Sequence, residues 1–360
     1  TGQGGLWVAQ RVPDGHYFVA ANEFRIREIF PDNPDQIYGP TLHAVIEAAG
    51  WRSPQDRSQP LDWLSSVSKG EYNHPYYSLR RVWRAFSLAA PSLKLPAWVD
   101  SGKTRAYPFS VKPDRKMTLD DVQKIHRDYY QGTEFDLTQG TAAGPFGSPA
   151  RYLGPNDPSG DVSDSSHLPG AWERPLSMYY TGYTFINQLS PKLPYPLNAV
   201  SWVALGVPGE SVFVPLPVGP LPAGYEKGDP SAYDPEMIWW TYEKVCEYAN
   251  LKYSYMIKDI SARAGILEKR SRKLLTKITN DLKTLAKTDP QAAASRFAGA
   301  LAANALEVRS DWEKLFTDLF VKYDQGFLNT PEKMAQPLGY SQKWLDLTNY
   351  SKGPTAYEKQ

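Results

Sequence analysis

The chain has 360 residues, enough to bury a large core in one or two domains. Its 40 Lys and Arg residues balance 39 Asp and Glu residues, so the net charge of +1 provides no bulk attraction to nucleic acid or to an anionic membrane. No apolar run is long enough to span a bilayer, and the single cysteine, Cys246, excludes an internal disulfide and a cysteine-based zinc site.

The first 30 residues predict a β-hairpin. Apolar residues alternate in segments 6–14 and 17–22, and Pro13-Asp14-Gly15 between them is typical of a turn. Asn22 ends the second segment, where a turn or strand-end role is its ordinary interpretation. Because the chain opens inside a sheet, we expect part of the molecule and part of its chemistry to lie outside these residues.

Three helices are expected before residue 130. Segment 40–50 has a helical pattern, with Gly50 at the position where helices commonly end. Segment 77–88 has one apolar face and one basic face, which we expect to be exposed. The apolar face holds Leu79, Val82, Trp83 and Phe86, and the basic face holds Arg80, Arg81 and Arg84. Thr118, followed by two aspartates, predicts the start of a third helix.

The remainder of the chain predicts a sheet followed by helices. Segment 131–175 is rich in Gly and Pro and predicts inserted loops, and segments 178–188, 199–207 and 211–217 predict an antiparallel meander. Helices are expected over 237–260 and 264–287, and Asp289-Pro290 predicts the cap of a third that runs to about residue 323. Its inward residues would be Phe297, Leu301, Leu306, Trp312, Leu315 and Leu319.

Strands first and helices last predict an α+β fold. We expect a sheet-rich part over 1–234, a helical part over 235–325 that packs on it, and a C-terminal extension over 326–360.

Single residues give few chemical signals. Cys246 lies in a predicted helix, where a small buried residue is favoured over a nucleophile. Thr1 would be a nucleophile if its own amine acted as the base, but the glycine-rich 2–5 segment does not hold its hydroxyl in place.

The five histidines lack metal-ligand spacing, so we expect no metal and no cofactor. The basic segment 269–273 is interpreted as a solvated helix face.

Several segments together resemble the PepD-type dipeptidase family of N-terminal-nucleophile cysteine hydrolases, which is related to the secernins. The most distinctive is Glu134-Phe-Asp-Leu-Thr-Gln-Gly-Thr-Ala-Ala-Gly-Pro-Phe-Gly-Ser-Pro149. The others, in chain order, are 7–14, 19–22, 72–75, 81–83, 201–206, 212–217 and 321–324. The resemblance covers nearly the whole chain.

The resemblance implies an incomplete four-layer αββα hydrolase fold with a helical C-terminal part. It also implies a catalytic cysteine at the start of the mature protein. Because no cysteine lies near the N-terminus here, we expect the nucleophile on another segment of the same precursor. That segment would be either a separate chain or a part of this chain that these residues do not include. The chain would then be the larger part of a cysteine-dependent dipeptidase, with dipeptides as its substrates, and would be inactive alone.

Two site residues follow from the resemblance. Related amide hydrolases use an asparagine at the end of this hairpin to stabilise the oxyanion, and Asn22 is at that place. They also keep an arginine near the thiol, and Arg81 is the candidate, with Arg80 and Arg84 as alternatives. The loop over 135–152 is a candidate wall of the substrate site.

Other functions are left open at this stage. The chain could be an enzyme of the same fold that uses Thr1, an amidase for another small amide, or a non-catalytic binding or structural protein. A homo-oligomer is also left open. The compartment is undetermined, although the glycosylation sequon Asn349-Tyr350-Ser351 weakly favours a secretory, lysosomal or extracellular location over the cytoplasm.

Overall fold

The computed structural model describes residues 6–67, 75–152, 174–227, 229 and 231–350. The chain divides into two compact units, Thr1–Asp121 with Leu153–Arg174 and Val122–Tyr152 with Pro175–Gln360. The division at residues 234 and 325 that the sequence suggested stays a prediction.

The described residues of the first unit form three two-stranded antiparallel sheets. Its strands are β1 (Val8–Gln10), β2 (Tyr17–Phe18), β3 (Glu28–Ile29), β4 (Gln36–Tyr38), β5 (Leu61–Asp62) and β6 (Ser110–Val111). They pair as β1 with β4, β2 with β6 and β3 with β5.

The predicted hairpin at the start of the chain is therefore wrong. Its turn forms, because the amide of His16 donates to the Pro13 carbonyl and Gly15 has a φ of +74°. Its strands, however, pair elsewhere: Ala9 lies opposite Ile37, and Tyr17 lies opposite Val111. Alternation identifies residues that suit a strand but does not choose the partner when each strand is only two or three residues long.

The helices of the first unit are α1 (Leu42–Ala48), α2 (Trp63–Val67) and α3 (Arg80–Ala89), which follows a wide helical turn at Pro75–Leu79. The predicted helix before Gly50 is confirmed, and Gly50 takes the positive φ that ends it. A core cluster joins α1 and α2 to the strands and consists of Ile29, Leu42, Ile46, Leu61 and Trp63.

The predicted apolar face of helix α3 is confirmed, but the prediction that its basic face is exposed is wrong for Arg80. Leu79, Val82, Trp83 and Phe86 are buried, but so is Arg80, which is only 1% exposed. Arg80 lies one turn before Trp83 on the inward side, where its guanidinium donates to the Ala97 carbonyl and packs 4.5 Å from the Trp98 ring centre. Aromatic packing and a backbone acceptor allow this charge to be buried.

Helix α4 (Leu119–His126) begins where the sequence predicted. The Thr118 amide donates to the Asp121 carboxylate at 2.8 Å, and the Asp121 amide donates to the Thr118 hydroxyl at 3.3 Å. These reciprocal bonds satisfy two amides at the helix start.

The second unit contains a three-stranded antiparallel meander, as predicted, in the order β7 (Tyr183–Leu189), β8 (Ala199–Leu205) and β9 (Val214–Pro217). Val200, Trp202 and Ala204 are buried on one face, and the long helices described below pack against β8 and β9. The opposite face carries the apolar residues Tyr183, Phe185 and Leu189 of β7, which are 64%, 55% and 73% exposed, and the polar pair Asn187 and Ser201.

The long helices are α5 (Ile238–Ala249), α6 (Tyr253–Thr288) and α7 (Pro290–Lys322). The predicted break after residue 260 is wrong, because the chain turns at Asn250–Lys252 and segment 261–263 carries no helix-breaking residue. The cap at Asp289 is confirmed, since its carboxylate accepts from the Ala292 amide at 2.9 Å. Leu306 was predicted to face inward but is 45% exposed, because the buried face of α7 includes the neighbouring Ala305 instead.

The chain continues through a short hairpin of β10 (Phe327–Leu328) and β11 (Gln336–Pro337) to α8 (Gln342–Leu347). None of the helices in the described ranges combines the length and hydropathy needed to cross a membrane.

A buried carboxyl group anchors the turn between β8 and β9. Glu210 is 3% exposed, and the Tyr129 hydroxyl lies 2.8 Å from both of its carboxyl oxygens. Arg127 fastens the same turn by donating to the carbonyls of Pro208 and Ser211. Burial raises the pKa of Glu210 from 4.5 to about 7.

This carboxyl group should make the stability of the protein depend on pH. The folded state holds the Glu210 proton up to about pH 7, whereas the unfolded chain releases it near pH 4.5. Its contribution is therefore full below pH 4.5 and is lost as the pH rises to 7, a change of about 3 kcal/mol in the free energy of unfolding.

We expect Glu210→Gln to remove that loss, because the amide is neutral throughout. Urea denaturation of wild type and variant below and above this pH range measures the difference. The exposed control Glu332→Gln should keep the wild-type pH dependence. An identical pH dependence in wild type and Glu210→Gln would contradict the assignment.

Candidate active site

Asn22 lies in the loop after β2, four residues beyond the last strand residue, Phe18. It is exposed and has a φ of +54°, in the left-handed region that Asn adopts more readily than most residues. The prediction that Asn22 ends a strand is therefore wrong, because the strand stops earlier. A loop position is nevertheless suited to presenting a polar side chain.

The structure brings Asn22 and Arg81 together. The Nη1 and Nη2 atoms of Arg81 each lie 3.1 Å from Oδ1 of Asn22. Arg81 is positioned on α3 by a bond from its Nε to the Tyr77 carbonyl at 3.0 Å and by packing 5.1 Å from the centre of the Tyr77 ring.

This contact fixes the orientation of the Asn22 side-chain amide. A guanidinium group can only donate hydrogen bonds, so the carboxamide oxygen must face Arg81. The amide nitrogen, Nδ2, is then directed to the other side, where its N–H groups can donate. An oxyanion requires donors held in place in this way.

The turn before α3 supports the same contact. Its i→i+5 geometry over Pro75–Leu79 is a widening found frequently at functional sites. It places the buried Ser78 where its hydroxyl lies 3.4 Å from the Asn22 carbonyl. Arg174 packs 4.5 Å from the Tyr77 ring centre, so a second guanidinium lies at the same ring.

A buried ion pair directly follows Asn22 in the chain. Glu23 and Arg25 are joined at 3.0 Å, and their side chains are only 2% and 7% exposed. Burial raises the pKa of Glu23 to about 7, although Arg25 and Arg81 act to lower it. This ion pair was not predicted from the sequence. The feature that could have indicated it is the alternation of charged and apolar residues that begins at Glu23.

The other arginines of α3 are placed differently. Arg80 is buried beside Trp98, and Arg84 is half-buried. Of the three predicted arginines, Arg81 is the one whose bond to Asn22 the structure records.

Cys246 is confirmed as a buried residue of the core. It lies on α5 at 1% exposure, with its Sγ 3.9 Å from the carbonyls of Val207 and Glu210. Burial raises the pKa of its thiol well above the ordinary value, and the nearby carboxylates of Glu210 and Glu243 raise it further. A thiol in this environment is a poor nucleophile.

Other sequence predictions fall partly outside the described residues. Thr1, His74 and the inserted segment 153–173 lie there. The predicted loop over 135–152 is described and is contacted by α8, since the Trp344 indole donates to the Thr141 carbonyl at 3.4 Å. Its role as a substrate wall stays a prediction.

We expect Cys246 to resist alkylation in the folded chain. At about pH 8 an ordinary thiol is partly ionised and reacts with iodoacetamide, whereas the buried, un-ionised Sγ should not. Mass spectrometry should find no adduct on the native protein and one adduct after denaturation. Rapid native labelling would show that Cys246 is accessible and would restore it as a candidate nucleophile.

Comparison with known proteins agrees with the resemblance found in the sequence. The model of peptidase family C69 matches residues 1–265. A probable dipeptidase of Salmonella dublin is 31% identical over 230 residues, which cover 64% of this chain and 45% of that protein. A probable dipeptidase B of Lactococcus lactis subsp. lactis (strain IL1403) is 26% identical over 246 residues, which cover 65% of this chain and 44% of that protein.

A probable dipeptidase A of Streptococcus pyogenes serotype M18 is 22% identical over 257 residues, covering 71% of this chain and 48% of that protein. The chain thus spans about half the length of the curated relatives it matches. The resemblance to the PepD-type dipeptidases is confirmed, and the chain belongs to peptidase family C69.

Proposed function

We propose that this chain is part of a cysteine-dependent dipeptidase whose nucleophilic cysteine lies outside these 360 residues. The observation that carries the proposal is the Asn22–Arg81 contact, which presents an amide donor in a chain of family C69. The names of the relatives support the substrate class, and the burial of Cys246 supports a nucleophile from elsewhere.

In this proposal the thiolate attacks the carbonyl carbon of the dipeptide. A carbon–sulfur bond forms, and the carbonyl π electrons move to oxygen, which becomes an oxyanion. The Nδ2 group of Asn22 donates to that oxyanion. Arg81 holds the Asn22 amide in orientation, and its positive charge favours the thiolate over the thiol.

The intermediate then collapses by breaking the carbon–nitrogen bond. The α-amine of the cysteine, which took the thiol proton, returns a proton to the leaving amine. Water hydrolyses the resulting thioester, which releases the acid and restores the thiol. These steps need no metal or cofactor among their reactants.

We also propose the four-layer αββα arrangement, with the second sheet supplied by the segment that carries the cysteine. The exposed apolar side chains of β7 on the outer face support this, although the same face also carries the polar pair Asn187 and Ser201. Cross-strand pairs on the outer face join Tyr183 to Leu205 and Phe185 to Val203. A sheet with two apolar faces is typical of a layer buried on both sides.

The oxyanion role of Asn22 is tested by Asn22→Asp in the full-length protein. Aspartate keeps an oxygen toward Arg81 and tolerates positive φ, but it removes the N–H donors. We expect kcat for dipeptide hydrolysis to fall by about 10²–10³, the usual cost of losing one oxyanion donor. Asn349, which is also exposed and has a φ of +53°, provides the control Asn349→Asp, which should retain activity.

Two outcomes would contradict this assignment. Full activity in Asn22→Asp would remove Asn22 from the mechanism. Absence of dipeptide turnover in the full-length wild type, with no thiol labelled at a chain start, would instead favour the non-catalytic alternative.

The covered-face proposal is tested by Phe185→Ser. Because Phe185 is exposed in this chain, the substitution should change its free energy of unfolding by no more than about 0.5 kcal/mol. It should, however, weaken the binding of the cysteine-bearing segment in a titration with this chain. Leu251→Ser, at a leucine that is 59% exposed on the same unit, is the control. Equal binding by both variants would place the segment on another surface.

A further inference from the structure

A short C-terminal segment of the second unit contacts a glycine-rich loop of the same unit. The loop comprises residues 138–147. The segment, which we call the strap, comprises residues 339–347 and contains α8. The family model matches residues 1–265, so the loop lies inside the matched range and the strap lies beyond it.

Two hydrogen bonds join the strap to the first half of the loop. The Trp344 indole donates to the Thr141 carbonyl at 3.4 Å. The Lys343 ammonium group donates to the side-chain oxygen of Gln139 at 3.0 Å. The strap therefore contacts both the backbone and a side chain of this half.

Aromatic packing joins the strap to the second half of the loop. The ring centre of Phe146 lies 5.5 Å from that of Tyr340 and 6.1 Å from that of Tyr255, edge to face in both cases. Tyr340 packs in turn 5.6 Å from Trp344. The Tyr255 hydroxyl donates to the Gly339 carbonyl at 3.4 Å, so α6 contacts the start of the strap as well.

The two ends of the loop are held independently of the strap. Arg151 is 7% exposed and donates to the carbonyls of Leu137 at 2.6 Å and Ser148 at 2.8 Å. The Ser254 amide of α6 donates to the Phe146 carbonyl at 2.9 Å. These bonds would keep both ends in place if the strap were displaced.

The middle of the loop, residues 139–145, depends more on contacts with the strap. Gly140 and Gly144 have φ angles of +81° and +67°. Because glycine loses more conformational freedom on folding than other residues, holding this part in one conformation is entropically costly. The bonds from Trp344 and Lys343 offset that cost.

Helix α8 depends on the loop in return. It has six residues, whereas an isolated helix shorter than about 12–15 residues is marginal in water. Its Ser341 cap accepts from the Trp344 amide at 3.3 Å, but one cap does not make so short a helix stable. The loop and the strap should therefore become ordered together.

The contact between loop and strap is incompletely packed. Residues of both line a cavity of about 200 Å³, among them Phe146, Trp344 and Leu347. Atoms that face a cavity lack the dispersion contacts of a close-packed core. The strap can therefore separate from the loop without opening the core of the unit.

We propose that the strap is a releasable element that holds the glycine-rich loop in one conformation. When the strap is docked, residues 139–145 and α8 are ordered together. When it is released, the middle of the loop gains conformational freedom while Arg151 continues to hold its ends. This inference does not depend on the proposed hydrolase function.

Hydrogen–deuterium exchange of this chain tests the proposal. The amides of Ala143 and Gly144 donate within the loop, at 3.3 Å and 3.1 Å, so their exchange reports on its conformation. In Trp344→Ala, which removes the indole, we expect peptides over 139–145 to exchange roughly tenfold faster or more. Tyr340→Ala removes the contact with Phe146 and should also accelerate exchange.

Two controls separate release of the strap from a general loss of stability. Peptides over 300–320 of α7, which include the buried Leu301 and Trp312, should exchange as in the wild type. Trp51→Ala, at a tryptophan that is 42% exposed in the first unit, should leave exchange of the loop unchanged.

Three results would overturn the proposal. The first is unchanged exchange of the loop in Trp344→Ala and Tyr340→Ala. The second is equal acceleration in the loop and in α7, because the substitutions would then act through the stability of the whole unit. The third is equal acceleration of the loop in Trp51→Ala.

Discussion

The paired hydrogen bonds from Arg81 to the Asn22 carboxamide are the interaction on which the candidate site depends. They connect a loop residue in a left-handed conformation to a helix whose opposite side is buried through Val82 and Phe86. Because a guanidinium only donates, the same contact that holds Asn22 also decides which end of its amide is available. A lysine could not reproduce this planar, two-pronged contact.

The two units differ in how their buried carboxyl groups are stabilised. In the first, Glu23 and Arg25 form a buried ion pair beside Asn22, and burial raises the pKa of Glu23 to about 7. In the second, burial raises the pKa of the Glu210 carboxyl, although the hydrogen bond from the Tyr129 hydroxyl acts to lower it. Buried carboxyl groups of this kind make stability or chemistry sensitive to pH near neutrality.

Local patterns in the sequence predicted the meander, the Asp289 cap and the apolar face of α3, because each depends on neighbouring residues and a fixed period. They did not predict the partners of β1 and β2, since strands of only two or three residues carry too little register information. The burial of Arg80 depends on Trp98, a distant residue. Asn22 and Arg81 came from the family resemblance, and their contact across 59 positions was not visible in the sequence.

The central claim is that Arg81 acts at least partly through Asn22, and a double-mutant cycle on kcat/KM in the full-length protein tests it most directly. The cycle compares Asn22→Ala, Arg81→Ala and the double variant in dipeptide hydrolysis. If Arg81 orients the Asn22 amide, the loss in the double variant will be clearly smaller than the product of the two single losses. Losses that simply multiply would show that the two residues act independently and would contradict the account.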